Sequence, residues 1–194
     1  MIQNSHLGSW KVNESPLEIG QEAKEVFEKA IKFYVGSSFE LCAHLGTQIV
    51  AGTNYAFVCR RKSVTLNPQV AYSLVICYAN LEQQCSITEV KDIVKESEFP
   101  IGGLHCVEAN QAPIAKLNSI EADHIIRAFH QAFGNLKGVV YTPELYIAQQ
   151  VAKGINYHII AKAKMMDKEQ TTDYRHVVFN FFMNESKIVS IEHL

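Results

Sequence analysis

The sequence predicts an α+β protein built from two tandem domains, each with one long helix packed on an antiparallel β-sheet. Three observations carry that reading. An apolar stripe at helical spacing occupies residues 15–36, four stretches rich in Val, Ile, Tyr and Phe follow it, and the same order of elements returns in the second half of the chain.

The first helix opens on Ser15-Pro16-Leu17-Glu18, a capping-box pattern with proline at the first helical position, where its missing N–H costs nothing. Ile19, Ala23, Val26, Phe27, Ala30, Ile31 and Tyr34 recur at spacings of three and four and make one apolar face. Glu25/Lys29 and Glu28/Lys32 lie on the polar side, each pair worth roughly 0.2–0.5 kcal/mol. Gly36 closes the helix. Strands are expected near 39–50, 54–62, 69–78 and 85–93, joined by short polar loops such as Leu66-Asn67-Pro68-Gln69. The interval from Lys91 to Gly103 is charged and then punctuated by Pro and Gly, so the boundary falls there, with domain 1 at 1–96 and domain 2 at 97–194. In the second half Asn118-Ser119-Ile120-Glu121 is another cap signal, followed by the stripe Ala122, Ile125, Ile126, Phe129, Ala132, Phe133 and Leu136. Strands are expected near 139–151, 155–166, 174–183 and 187–193, with Pro143 marking an edge or a bulge in the first of them.

The functional signal is the uncharged run Gln48-Ile49-Val50-Ala51-Gly52-Thr53-Asn54-Tyr55 between two strands. Gly52 permits the φ > 0 of a tight reversal, while Ile49 and Val50 suit extended backbone. Turns are usually polar, so an apolar tip points to a surface that a partner covers. Gln48 to Gly52 matches the Gln-x-Val-x-Gly signature of the cystatins, and the run through Tyr55 resembles the first binding loop of their intracellular stefin branch. The resemblance implies two cystatin/monellin-like domains and a reversible, tight-binding inhibitor of papain-like cysteine proteases of the cathepsin type. In that family a wedge of three parts blocks the active-site cleft: an N-terminal glycine segment and two hairpin loops. The corresponding residues here are Gly8 in Leu7-Gly8-Ser9-Trp10, then Gln48, Ile49, Val50, Ala51 and Gly52, then Leu81 in Asn80-Leu81-Glu82-Gln83. The third part departs from the family, which has Pro-Trp or Leu-Pro where this chain has Leu81-Glu82.

Gln150-Val151-Ala152-Lys153-Gly154-Ile155-Asn156-Tyr157 lines up with Gln48–Tyr55 at a constant offset of 102 residues (150 − 48), which reads as an internal duplication. A second set of binding residues is therefore Gly102, Gly103, Gln150, Val151, Ala152, Lys153 and Gly154. Ala152 replaces the motif valine and Lys153 brings a charge whose desolvation opposes entry into an apolar cleft, so this hairpin is expected to inhibit weakly or not at all. Phe99-Pro100-Ile101-Gly102-Gly103-Leu104 is similar to a stefin N-terminus, although it is tethered to the preceding strand.

The 194 residues, 47% hydrophobic with a net charge of −2, can fill two cores and give no reason to expect nucleic acid or membrane as partner. Five cysteines, an odd number, fit free thiols in a reducing compartment, and no pairing can be assigned. Nothing approaches a membrane span, and Met1–Ser5 do not read as a signal peptide, which implies a cytoplasmic protein, or a secreted one if a leader has been cleaved. No Cys/His pair, phosphate loop or metal-ligand spacing stands out, so neither catalysis, a cofactor nor a metal is expected. Two other readings share the fold: a non-inhibitory binding module, and an inhibitor of another protease class similar to latexin, which lacks the hairpin signature. A monomer or a domain-swapped dimer, hinged at the long first hairpin, is compatible with all three.

Overall fold

The computed structural model describes residues 8–97 and 102–194. Contacts divide the chain into two compact units, Met1–Ile93 and Val94–Leu194. The elements in order are β1 (Trp10–Val12), α1 (Gln21–Ile31), β2 (Ser37–Val50), β3 (Gly52–Ser63), β4 (Val70–Ala79), β5 (Cys85–Lys95), β6 (Leu104–Cys106), α2 (Ser119–Phe133), β7 (Val139–Ala152), β8 (Gly154–Met165), β9 (Thr172–Phe182) and β10 (Glu185–His193). The strands form two five-stranded sheets in the orders β1-β2-β3-β4-β5 and β10-β9-β8-β7-β6.

This corrects the expected α+β class with a long helix carrying each cystatin/monellin-like domain. The protein is mostly β, with 52% strand and, among the described residues, two short α-helices. The helices have 11 and 15 residues. Ser15–Glu18 does not start a helix. The Glu18 N–H closes a turn on the Ser15 carbonyl at 3.0 Å, and the Pro16 carbonyl is taken by the His44 N–H at 2.9 Å. Gly20 then caps α1 without a side-chain hydrogen bond, and the helix stops at Ile31, leaving Phe33 and Val35 exposed before Gly36. The Asn118 signal does cap α2: its side chain accepts from the Glu121 N–H at 3.0 Å.

Each helix buries one face. Ala23, Val26, Phe27 and Ala30 of α1 join Tyr55, Phe57, Cys59, Val75, Cys77 and Ala79 in one core. Ile125, Ala128, Phe129 and Phe133 of α2 join Tyr157, Ile159, Ala161, Val177 and Phe179 in another. The long hairpins bend through bulges: the pairing of β2 with β3 shifts between Leu41 and Ala43 and between His44 and Gly46. The pairing of β7 with β8 shifts between Pro143 and Leu145 and between Tyr146 and Ala148. Those are the same places at the offset of 102 residues (143 − 41), so the duplication extends to backbone irregularities, and Pro143 sits at a bulge.

Candidate functional site

The tip of the first hairpin is a reversal in which Val50 pairs with Gly52 and Ala51 alone lies outside the ladder. Gly52 adopts φ +131°, and a Cβ there would stand 2.4 Å from the Ala79 carbonyl oxygen, so the position needs glycine twice over. The Tyr78 hydroxyl donates to the Ala51 carbonyl and fixes the tip from the neighbouring strand. Ile49 and Val50 are exposed by 59% and 39%, leaving the apolar motif residues on the surface.

Gln48, half-buried, has a different task. Its side-chain N–H donates to the Gly8 carbonyl at 2.7 Å, and its oxygen accepts from Asn54 at 2.8 Å. The Gly8 N–H returns to the Ile49 carbonyl at 3.2 Å. Beyond Gly8, β1 pairs with β2 so that Trp10 faces Gln48. Trp10, Gln48, Asn54 and Tyr78 therefore form one row across four strands. This row brings the N-terminal segment beside the hairpin tip. The third segment lies at the same end of the sheet, where Thr53 pairs with Ala79 just before Asn80. The Asn80 side-chain oxygen accepts from the Glu82 and Gln84 N–H groups at 3.0 and 2.8 Å, an Asx turn that leaves Leu81 84% exposed. Gly8, the Gln48–Gly52 tip and Leu81 thus share one edge. Leu7 lies outside the described residues.

The second unit repeats this scaffold with altered tips. Gln150 donates to the Gly102 carbonyl at 3.1 Å and accepts from Asn156 at 3.4 Å. Asn180 takes the place of Tyr78, donating to the Lys153 carbonyl at 3.2 Å. Gly154 has φ +93°, and a Cβ there would meet the Phe181 carbonyl oxygen at 2.3 Å. Val151, Ala152 and Lys153 are exposed, and the Lys153 ammonium lies 5.3 Å from the Phe182 ring centre. Gly103 is buried just before β6. Phe99, Pro100 and Ile101 lie outside the described residues.

Several participants carry little sequence signal. Trp10, Tyr78 and Asn180 are single polar or aromatic residues in strands, and even for Asn54 and Asn156, which recur in the repeated motif, the cross-strand register reveals what they hold. The second unit also has a third apolar tip, Met183, 80% exposed in a two-residue turn with Asn184. Positive φ at both residues suits the twist of a tight hairpin, but without glycine the turn is weakly marked in sequence.

The cysteines are all free. Leu41, not Cys42, pairs with Cys59, because Cys42 is the extra residue of a bulge. Burial pushes the Cys42 thiol up to about 11, Cys77 up to about 12, and Cys59 well above the usual range. Protonated thiols are poor nucleophiles. Among the described residues no group of three or more His, Cys, Asp or Glu is arranged to hold a metal, and no helix is long and apolar enough to cross a membrane. No family model matches this chain, and neither does any curated protein or solved structure.

Proposed function

We propose that the protein is a reversible, tight-binding inhibitor of papain-like cysteine proteases, and that it blocks their cleft with the edge formed by Gly8, Gln48–Gly52 and Leu81. The observation that carries this reading is the Gln48 clamp: one side-chain amide holds Gly8 and Asn54 at hydrogen-bond distance, so the N-terminal segment and the hairpin tip are aligned before any partner arrives. Prealigned tips lose less conformational entropy on association. The resemblance of Gln48–Gly52 to the cystatin signature names the protease class, and apolar Ile49, Val50 and Leu81 suit a cleft from which water is expelled. An interface of roughly 800 Å² on each partner is expected. Ile49, Val50, Ala51, Gly52 and Leu81 have no titratable side chain, so what they offer a cleft is fit.

Titration of papain with the intact protein tests the reading. Stoichiometric, reversible inhibition is expected, weakened by at least about tenfold on Val50→Asp, since a carboxylate carried into an apolar cleft is desolvated without a partner. Val50 is exposed, so the fold tolerates the change, and folding is checked by thermal melting. Absence of inhibition by a folded, reduced sample rejects the proposal.

A further inference from the structure

Far from the hairpin tip, at the other end of the first sheet, two loops carry a cluster of apolar side chains into solvent. One follows α1 (residues 32–36) and the other joins β3 to β4 (residues 64–69). The Val64 N–H donates to the Gly36 carbonyl at 2.9 Å, just beyond the Ser37/Ser63 pair that ends the β2–β3 ladder, so the loops are neighbours. Phe33 is 82% exposed, Val35 90%, Val64 72% and Leu66 102%. Isolated exposed apolar residues are ordinary, but four on two adjoining loop tips are not. Tyr34, between two of them, is tied edge-to-face to Phe39 at 5.1 Å and steadies the loop.

The two loops themselves carry charge of one sign, the flanking carboxylates being Glu28, one turn before Lys32, and Glu40. Neither Lys32–Phe39 nor Arg60–Ala71 contains a carboxylate, in a chain with 20 Asp and Glu. Arg60 and Arg61 are engaged by Glu40 and Asp92 at 3.1 and 2.8 Å. Lys32 and Lys62 border the apolar tips, with the Lys32 ammonium 5.5 Å from the Phe33 ring centre. The second unit supplies an internal control. There the Met166 N–H donates to the Gly138 carbonyl at 2.9 Å, the same scaffold at the repeat offset. Yet Asn135, Lys137 and Lys168 stand at the places of Phe33, Val35 and Leu66, and Asp167 and Glu169 introduce carboxylates. Met166, 64% exposed, keeps an apolar side chain at the place of Val64, so the duplicated backbone does not require the other three apolar tips.

The geometry points to a lipid-docking surface: this end of the first domain lies on an anionic bilayer, with Phe33, Val35, Val64 and Leu66 entering the acyl boundary and Lys32 and Lys62 meeting the headgroup phosphates. Side chains that stand clear on loop tips suit insertion between lipids, and the flanking Lys32 and Lys62 distinguish this end from the uncharged Gln48–Gly52 tip. Lys32 and Lys62, on segments that hold no carboxylate, match the negative surface potential of anionic lipid, which acts locally and is not cancelled by a net charge of −2. A different face from the hairpin edge is used, so this inference stands apart from protease inhibition.

Sedimentation of the intact 194-residue chain with vesicles of phosphatidylcholine and phosphatidylserine in a two-to-one ratio tests it. Binding is expected at low salt, reduced at high salt and weaker on pure phosphatidylcholine. Phe33→Ser with Leu66→Ser should reduce the bound fraction at least about tenfold, given the apolar area each side chain inserts. Lys32→Gln with Lys62→Gln should weaken binding and flatten its salt dependence. All four residues are on the surface, and unchanged melting confirms the fold of each variant. Absence of binding to anionic vesicles, binding that survives the double serine variant, or binding equal on neutral vesicles overturns the proposal. Self-association or capture of a protein partner that is lost in the same variants, without vesicle binding, reassigns the patch and likewise overturns it.

Discussion

The side-chain amide of Gln48 donates to the backbone carbonyl of Gly8, forty residues earlier in the chain, at 2.7 Å. The first residue of the hairpin motif therefore works as a strap for the N-terminal segment, and the exposed contact surface is left to its neighbours. Replacing Gln48 by Ala removes that bond and the one from Asn54, each worth about 0.5–1.5 kcal/mol. Amide exchange at Gly8 and along Trp10–Val12 should accelerate, and the proposed protease inhibition should fall roughly tenfold while the melting temperature changes little. Gln150→Ala should loosen Leu104–Cys106 in the same way and leave inhibition unchanged.

Gly52 and Gly36 both have positive φ, +131° and +96°, but differ in surroundings. A Cβ at Gly52 meets the Ala79 carbonyl oxygen at 2.4 Å, whereas at Gly36 nothing lies within 4 Å. Gly36→Ala should cost only the left-handed backbone strain, about 1 kcal/mol. Gly52→Ala adds a backbone collision and should cost roughly 2–4 kcal/mol. Chemical denaturation of the two variants measures the difference, and equal midpoints would refute the steric account.

How much of this was legible depends on length and composition. β2, β3 and their repeats β7 and β8 are long and rich in Val, Ile, Tyr and Phe, enough to place them from sequence. β1 and β6, with three residues each, are too short to show any period. The α1 start was misread because Ser15-Pro16-Leu17-Glu18 has cap chemistry, yet Pro16 is buried and its carbonyl serves the β2 bulge. Tertiary pairing overrode the local signal there. Gly52 could be read from the motif, but the Gln48–Gly8 bond could not, since register is a non-local property. Ser73, His158 and His176 were invisible for a similar reason. Polar letters inside strands read as solvent-facing, although all three are buried.

The histidines make stability pH-dependent. His158 Nδ1 and His176 Nε2 lie 3.1 Å apart, one donating and the other accepting when both rings are neutral. His158 Nε2 and His176 Nδ1 are buried without a partner. Burial lowers the pKa of each ring from 6.5 to about 4, the His176 charge adding to the effect on His158 and Glu192 opposing it. The unfolded chain thus binds protons that the folded one refuses. Stability is full above pH 6.5 and falls as pH drops toward 4, each pKa unit of depression corresponding to about 1.4 kcal/mol per ring before relaxation. Urea midpoints should decline across that window, and His158→Phe with His176→Phe should flatten the decline.

Gly20 offers a gain. It is the N-cap of α1, with φ −62° and ψ 155°, and makes no side-chain cap bond. Nothing lies within 4 Å of a Cβ placed there. Ser fits that backbone and can accept from the first turn, so Gly20→Ser should stabilise the protein by roughly 0.3–1 kcal/mol. A rise in the thermal midpoint is the expected result, without loss of the proposed inhibition, because α1 does not contribute to the hairpin edge.

Lys153 is what most distinguishes the second hairpin from the first. The supporting bonds from Gln150, Asn156 and Asn180 are present, and so is the glycine with positive φ, while the ammonium occupies the place held by Ala51 in the first copy. If desolvation of that charge is what bars the second tip from a protease cleft, its removal should expose a latent activity. The full chain carrying Val50→Asp silences the first tip and makes any remaining inhibition a report on the second. Lys153→Ala in that background should strengthen inhibition about tenfold, the order expected when one charge no longer enters an apolar site. No change would locate the defect elsewhere, in Ala152, which replaces the motif valine, or in a trunk tethered at Gly102 to the preceding chain.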